Sequence, residues 1–162
     1  MKVSVVMGSK SDREVVQKTV NKLKEFGVEV DFRIISAHRT PQLAHDYAKG
    51  LEDIGSEVLI CAAGKAAHLA GVMAGITTLP VIGLPIKSST MDGLDSLLSV
   101  VQMPSGIPVA TVAINGAENA AILAIQILAV KYDELKVKLK DYKKSMNDKI
   151  LEDDLSLQGE LK

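Results

Sequence analysis

The chain has 162 residues, of which 19 are basic and 20 acidic, and its formal net charge at pH 7 is −1. This length fits one domain that folds without disulfides or metal. The balanced charge gives no general attraction to nucleic acid or to an anionic membrane, so any phosphate recognition must come from a local site. Apolar residues make up 47% of the chain and aromatic residues only 3%, which predicts a core of small aliphatic side chains.

Cysteine usage and the amino terminus indicate a cytoplasmic protein. The one cysteine, Cys61, lies in an apolar run and has no partner for an intramolecular disulfide. The first residues already have the pattern of a strand and lack the apolar core and cleavage site of a signal peptide. The longest apolar stretches, residues 109–114 and 120–130, are interrupted or shorter than the roughly twenty residues that span a bilayer. We therefore expect no membrane association.

The first half of the chain alternates strand and helix patterns. Apolar β-type residues predict a first strand over residues 3–7, and helical spacing predicts a helix over residues 12–26. Residues 28–35 predict the second strand. Thr40 as N-cap and Pro41 in the first turn predict the start of the second helix.

The second half continues the alternation. The apolar run at residues 58–62 predicts a central parallel strand that is covered on both faces. The next predicted elements are helix 67–75, strand 80–85, helix 92–101, strand 109–114 and helix 117–130. This order predicts an α/β fold, a three-layer α/β/α sandwich around a parallel five-stranded sheet.

A long C-terminal helix is predicted from about residue 133 to residue 151. Its apolar stripe packs either on its own domain, the commoner case, or on another subunit. The stripe consists of Leu135, Leu139, Tyr142, Met146 and Ile150. We expect a single domain over residues 1–151, followed by a polar, loose tail over residues 152–162.

Two polar segments follow the first two strands. Residues 8–12 (GSKSD) and 36–41 (SAHRTP) each end a strand pattern and open a helix pattern. In a parallel sheet both lie at the carboxyl edge, where such folds bind ligands. We therefore expect the two segments to form one site.

The first segment offers a glycine, two hydroxyls and exposed amides at a helix start, a combination that can hold phosphate. It is not a Walker loop, because its lysine is misplaced for that motif, and the chain has no GxGxxG for a dinucleotide. Ser11 or Asp12 could equally serve only as a helix cap. The two roles are compatible.

The second segment places His38 beside Arg39. Histidine exchanges a proton near neutral pH because its unperturbed pKa is about 6.5, and the arginine fork suits phosphate or carboxylate. The pair indicates an anionic ligand that undergoes proton transfer, with an exposed pair without function as the alternative.

Two further histidines have less specific surroundings. His68 follows the third strand, where it either joins the site or is satisfied in the core, and His45 is expected to be a surface or packing residue. No two histidines have short metal-ligand spacing, so we expect no metal site.

Six separated segments of the chain have distinctive sequences: residues 8–12 (GSKSD), 36–41 (SAHRTP), 66–69 (AAHL), 80–83 (PVIG), 94–99 (LDSLLS) and 102–104 (QMP). In the same order, these segments resemble the family of purine biosynthesis that PurE represents. The resemblance covers about residues 3–151 and is closest to class I of the family, the N5-carboxyaminoimidazole ribonucleotide mutases. It implies a flavodoxin-like fold, a homo-octamer, a small-molecule ribonucleotide substrate and no cofactor.

The resemblance also implies a mechanism. In the family, a histidine protonates the carbamate nitrogen, carbon dioxide is released in a closed pocket, and the imidazole C4 attacks it before the histidine takes the C4 proton. One imidazole can serve both steps because it is regenerated between them. By position this residue is His38, and His68 is the second residue assigned to catalysis, lining the same pocket.

The implied binding residues come from three loops. Ser11, Ser36 and Arg39 would hold the phosphate, and Asp12 would accept hydrogen bonds from the ribose hydroxyls. Ser9 and the loop at residues 64–69 would surround the base and the migrating carboxylate. The binding residues assigned in that loop are Gly64, Ala66 and Leu69.

The loop after the third strand departs from the family pattern. Residues 62–71 read AAGKAAHLAG where the family usually has GAGGAAHLPG, so Lys65 replaces a glycine. Lys65 either points to solvent or adds a charge near the substrate carboxylate. Class II members, which carboxylate aminoimidazole ribonucleotide with free carbon dioxide, also vary here and are the nearest alternative. A non-catalytic nucleotide-binding module is the third.

Overall fold

A computed structural model describes residues 1–89 and 91–160 and contains one sheet of five parallel strands. The strands are β1 (Lys2–Met7), β2 (Glu29–Ile34), β3 (Val58–Gly64), β4 (Val81–Ile86) and β5 (Ala110–Thr111). Their order in the sheet is β2-β1-β3-β4-β5, which is the order of flavodoxin-like folds. The predicted fold class is therefore confirmed.

In residues 1–89 and 91–160, six α-helices cover the two faces of this sheet. They are α1 (Arg13–Glu25), α2 (Pro41–Lys49), α3 (Leu69–Ala74), α4 (Leu94–Val101), α5 (Ala117–Ala129) and α6 (Asp133–Glu160). The core divides into two clusters, one between the sheet and α1, α5 and α6, the other between the sheet and α2, α3 and α4.

Strand β3 shows why two clusters form. Val58, Ile60 and Ala62 belong to the first cluster, while Leu59 and Cys61 belong to the second. Side chains alternate across a strand, so a central strand with helices on both faces must be apolar at every position. The continuous apolar run that predicted this strand has this physical origin.

Helix α5 explains the scarcity of aromatic residues. Its buried alanines belong to the first core cluster, and α5 contacts α1 and the sheet. Among these alanines are Ala120, Ala121 and Ala124. Short side chains let the backbones approach closely, so the core is filled without large rings. In the structure this helix contacts α1, α6, β3 and β4.

Strand β5 is shorter than the predicted strand over residues 109–114. It pairs with β4 only through Ala110 and Thr111. Beyond them, Val112 donates to the Gly83 carbonyl and Asn115 donates to the Pro85 carbonyl. Pro85 faces β5 but has no N–H to donate, so the regular ladder ends there.

Helix α6 is longer than predicted, because it continues to Glu160 instead of ending at residue 151. Residues 152–160 are helical and exposed, whereas residues 161 and 162 lie outside the described residues. The segment contains no proline, and Gln158 donates to Asp154 one turn earlier.

The apolar stripe of α6 divides into two parts. Leu135 is fully buried, and Leu139 and Tyr142 pack against the same core cluster. Met146 and Ile150 are exposed. The first half of the stripe packs on its own domain, as the commoner alternative predicts. In the part of the chain that the structure describes, no helix is both long and apolar enough to cross a membrane.

Candidate active site

A cavity of about 600 Å³ lies at the carboxyl edge of the sheet, lined by the loops that follow β1, β2, β3 and β4. It brings together the two polar segments that the sequence predicts as one site. Nine of the predicted site residues line it: Ser9, Ser11, Asp12, Ser36, His38, Arg39, Gly64, Ala66 and Leu69.

The loop after β1 forms a single 3₁₀ turn over Lys10–Asp12, and its cap is Ser9. The Ser9 hydroxyl oxygen accepts from the Ser11 backbone N–H at 3.3 Å and lies 2.9 Å from the Ser11 hydroxyl. Neither Ser11 nor Asp12 caps α1 with its side chain, among the hydrogen bonds of the described residues. Asp12 occupies the N-cap position of α1 without a capping hydrogen bond from its side chain.

Asp12 is the most buried ionisable group in this loop, with only 9% of its surface exposed. Desolvation by burial raises the pKa of its carboxyl above the ordinary value of 3.8, while hydrogen bonds from Ser11 and Ser9 and the charge of Arg39 oppose that rise. A carboxylate with so little water around it is a strong acceptor for a ligand's hydroxyl groups.

The loop after β2 is closed by Thr40. Its hydroxyl accepts from the Ser36 backbone N–H at 3.1 Å and donates to the Ser36 carbonyl at 2.9 Å. Thr40 occupies the N-cap position of α2, but its side chain makes no capping bond to the helix. The predicted boundary is right, while the predicted capping bond is replaced by this closure of the loop.

Arg39 joins the two loops. Its backbone N–H and Nε both donate to the Ser36 hydroxyl oxygen, and Nη2 donates to the Gly8 carbonyl at 3.0 Å. The guanidinium is thus held in place by neutral acceptors. The guanidinium forms no ion pair with any carboxylate that the structure describes, although its positive charge opposes the rise that burial causes in the pKa of Asp12. Remaining guanidinium N–H groups and the Ser36 hydroxyl proton can bind an anion.

The two predicted catalytic histidines are in contact. Nε2 of His38 lies 3.1 Å from Nδ1 of His68, and the rings are nearly perpendicular, with their centroids 5.2 Å apart. His38 lines the cavity. His68 sits at the start of α3 and touches His38 rather than forming part of the described cavity wall. His45 is exposed on α2 beside Asp46, as predicted for a surface residue.

Lys65 lines the cavity from the loop after β3. Its backbone has φ of +56°, a left-handed conformation that glycine adopts readily and other residues rarely do. Its carbonyl accepts from the Ala67 N–H at 2.8 Å, which closes a tight turn before α3. Lys65 is exposed to solvent and also lines the cavity.

The sequence interpretation missed the loop after β4. Ile86, Lys87 and Ser88 also line the cavity. Nζ of Lys87 lies 2.7 Å from an Asp92 oxygen, and the Ser88 hydroxyl donates to Asp95. The available signal was positional, because these residues end the fourth predicted strand at the same edge as the other three loops.

Among residues 1–89 and 91–160, no group of three or more His, Cys, Asp or Glu side chains is arranged to hold a metal ion. Cys61 is buried in β3, and this burial raises the pKa of its thiol far above the ordinary value. Within the described part of the chain, the ionisable groups of the cavity wall are one carboxyl, one imidazole, one guanidinium and two ammonium groups.

Comparisons with known proteins agree with this geometry. The family model described as AIR carboxylase matches residues 2–149. N5-carboxyaminoimidazole ribonucleotide mutase of Pyrococcus horikoshii is 58% identical over 150 residues, covering 93% of this chain and 85% of the relative. The protein of the same name from Saccharolobus solfataricus is 55% identical over 150 residues, covering 93% and 95%.

Solved structures give the same result. The crystal structure of Treponema denticola PurE matches with a TM-score of 0.89 and 35% identity, covering 96% of this chain and 98% of that one. Fold and site together define a flavodoxin-like α/β protein with a polar cavity at the carboxyl edge of its sheet. The chain belongs to the AIR carboxylase family, of which PurE is a member.

Proposed function

We propose that this protein is an N5-carboxyaminoimidazole ribonucleotide mutase of purine biosynthesis, an isomerase that moves a carboxylate from nitrogen to carbon. The observation that carries the proposal is the convergence of His38, Arg39 and Asp12 on one cavity. These residues supply a proton carrier, an anion binder and a hydroxyl acceptor. Relatives that bear this enzyme's name are 58% and 55% identical to the chain over nearly its full length.

The charges of the cavity suit an anionic ribonucleotide. Arg39 and Lys65 bring positive charge to the wall, while the charge of Lys87 is balanced by Asp92. Among the described residues of the wall, Asp12 carries the one carboxyl. A ligand with a phosphate and a carboxylate would therefore enter a site of complementary charge.

The hydrogen-bonding groups suggest how the ribonucleotide lies. Ser11, Ser36 and Arg39 hold the phosphate, since the serine hydroxyls and the guanidinium can all donate to it. Asp12 accepts from the ribose hydroxyls. The base and its carboxylate then lie against Ser9 and the third loop, where the assigned binding residues are Gly64, Ala66 and Leu69.

His38 moves both protons of the reaction. In its protonated form it donates to the carbamate nitrogen, the C–N bond breaks, and carbon dioxide is released with the bonding electrons left on the aminoimidazole. C4 attacks the carbon dioxide and forms the new C–C bond, and neutral His38 then removes the C4 proton. The enzyme returns to its starting protonation state without a cofactor.

His68 orients the imidazole that carries these protons. Its contact with Nε2 of His38 requires that one of the two facing nitrogens carries a proton and the other accepts it. The contact therefore couples the tautomer and rotation of His38 to a second residue. His68 acts on the reaction through this contact.

The protein is further proposed to be a cytoplasmic homo-octamer, as its family resemblance implies. Carbon dioxide must be kept from water between the two bond changes, and neighbouring subunits would help to close a cavity in which His38 and Arg39 are exposed. Helix α4 also exposes Leu94, Leu98 and Val101 along one face, and such an apolar row suits a subunit contact.

The experiment that tests the function is conversion of N5-carboxyaminoimidazole ribonucleotide by the purified protein without added bicarbonate. Turnover under this condition supports the mutase. Turnover of aminoimidazole ribonucleotide only when bicarbonate is added would instead assign the class II carboxylase activity, and binding without either turnover would assign a nucleotide-binding module.

A further inference from the structure

Two lysines occupy equivalent places at the edge of the sheet. Gly64 at the end of β3 is paired in register with Ile86 at the end of β4, so Lys65 and Lys87 are each the first residue beyond a paired position. Both line the cavity. Both lysines can therefore contribute charge to the same cavity.

The two lysines differ in how their charge is balanced. The Lys87 ammonium lies 2.7 Å from an Asp92 carboxylate oxygen. The Lys65 side chain makes no hydrogen bond or ion pair with any residue that the structure describes. Lys65 thus supplies a positive charge that an anionic ligand can use without breaking an existing pair.

Lys65 is well placed to bind a different anionic group from the one at Arg39. Arg39 follows β2 and Lys65 follows β3, and these strands flank β1. Neighbouring strands lie about 4.8 Å apart, so the ends of β2 and β3 are about 10 Å from each other. A ribonucleotide with a carboxylated base carries anionic groups at its two ends, the phosphate and the carboxylate.

The backbone conformation of Lys65 also supports a role for this residue. With φ of +56°, the position suits glycine, which would adopt this conformation without strain. A lysine here has a backbone conformation that costs energy, and the same residue lines the cavity.

We propose that Lys65 is a specificity residue, whose ammonium binds the migrating carboxylate and selects carboxylated ribonucleotides over aminoimidazole ribonucleotide. This inference rests on the proposed function and names the group that distinguishes its substrate and product from the decarboxylated intermediate. Because the carboxylate loses its charge as carbon dioxide leaves, the contact stabilises the ground state more than the transition state. Its loss should raise KM and leave kcat unchanged or higher.

Calorimetric titration with two ligands tests the proposal. The reaction product, 4-carboxy-5-aminoimidazole ribonucleotide, carries the carboxylate, and aminoimidazole ribonucleotide lacks it. In Lys65→Met, we expect the Kd of the product to rise roughly tenfold, as for loss of one charged hydrogen bond, and the Kd of aminoimidazole ribonucleotide to change less than about twofold. Lys65→Arg, which retains the charge, should restore most of the difference.

Two controls make the result specific. Lys18→Met removes an exposed lysine of α1 that is not part of the cavity wall, and it should leave both Kd values unchanged. Lys65→Gly also removes the charge, but glycine adopts the left-handed conformation without strain. A folding defect caused by backbone strain in Lys65→Met should therefore be absent from Lys65→Gly. Equal weakening of both ligands in Lys65→Met and Lys65→Gly, or no weakening of either, would overturn the role of Lys65.

The wild-type protein separates this inference from the proposed function. If it binds neither ribonucleotide, both proposals fall together. If it binds both and converts the carbamate substrate, but Lys65→Met keeps the same ratio of the two Kd values, only the role of Lys65 is refuted.

Discussion

Nε2 of His38 and Nδ1 of His68 are 3.1 Å apart, although the two residues come from loops that follow different strands. The contact spans the end of β1, which separates β2 from β3 in the sheet. A hydrogen bond between these nitrogens needs one proton between them, carried by one ring and accepted by the other. The contact therefore couples the tautomers of the two rings.

Replacement of His38 tests its role as the proton carrier. His38→Asn should keep binding the carboxylated product but lose turnover by about a hundred- to ten-thousand-fold, because general acid-base catalysis typically contributes that much. Steady-state kinetics and titration calorimetry measure the two effects. His45→Asn, at an exposed position on α2, is the matched control. Turnover near the wild-type rate in His38→Asn would remove His38 from the mechanism.

Replacement of His68 tests whether it acts by orienting His38. His68→Ala should lower kcat by roughly tenfold, the equivalent of about 1.4 kcal/mol for one lost hydrogen bond, with a smaller change in KM. His68→Asn can offer a polar atom near the place of Nδ1 and should recover part of the loss. The pH profile of kcat should also shift in His68→Ala. An unchanged profile in that variant would argue against a positioning role.

Replacement of Arg39 tests where the phosphate binds. Arg39→Ala should weaken ribonucleotide binding about ten- to a hundred-fold, because hydrogen bonds to charged groups are worth about 1.5–3 kcal/mol. Arg39→Lys should recover only part of the affinity, since lysine keeps the charge but loses the fork that contacts Ser36 and Gly8. Unchanged affinity in Arg39→Ala would show that the phosphate lies elsewhere.

Replacement of Asp12 should separate stability from binding. The pKa of its carboxyl is raised by burial, so the folded protein holds this proton more tightly than the unfolded chain does. Its ionisation therefore destabilises the fold as the pH rises from 3.8 through the folded-state pKa. Asp12→Asn should melt higher than the wild type at neutral pH, and this difference should shrink toward about pH 4.

The same Asp12→Asn variant should bind ribonucleotide more weakly, because the amide is a poorer acceptor for ribose hydroxyls than the carboxylate. Thermal unfolding without ligand, followed over the pH range, and calorimetry with ligand measure the two changes. A lower melting temperature at every pH would contradict the stated cost of burying the charge.

The proposed assembly has its own test. Light scattering at low protein concentration should report a particle of eight chains. Replacing Leu98 with Glu on the exposed apolar row of α4 should reduce the particle's size while leaving the chain folded, because that side chain is 45% exposed in the single chain. A stable monomer of the unaltered protein at these concentrations would refute the octamer.

Much of the fold and of the site could be predicted from the sequence because both depend on local patterns. Apolar runs and capping residues marked the strands and helices, and their alternation fixed the parallel sheet. Once the sheet was parallel, residues 8–12 and 36–41 had to meet at one edge. The structure confirms that meeting, and Arg39 even bonds directly to Gly8.

The remaining features depend on contacts between distant residues. β5 is short because Pro85 of the neighbouring strand lacks an N–H, a constraint that residues 109–114 do not reveal. The role of Ser9 as a cap, rather than Ser11, depends on which hydroxyl oxygen faces the turn. The position of Lys65 beside the cavity depends on the path of its loop, where this residue has a left-handed conformation that the sequence pattern does not reveal.

The central claim is that the carboxyl group moves within the cavity from the nitrogen to C4 of the same ligand. The most direct measurement is conversion of N5-carboxyaminoimidazole ribonucleotide labelled with ¹³C in its carboxylate, in a buffer containing unlabelled bicarbonate. We predict turnover that does not depend on bicarbonate and a product that keeps the label. A product carrying carbon from the bicarbonate, formed only when bicarbonate is present, would contradict the proposed mutase.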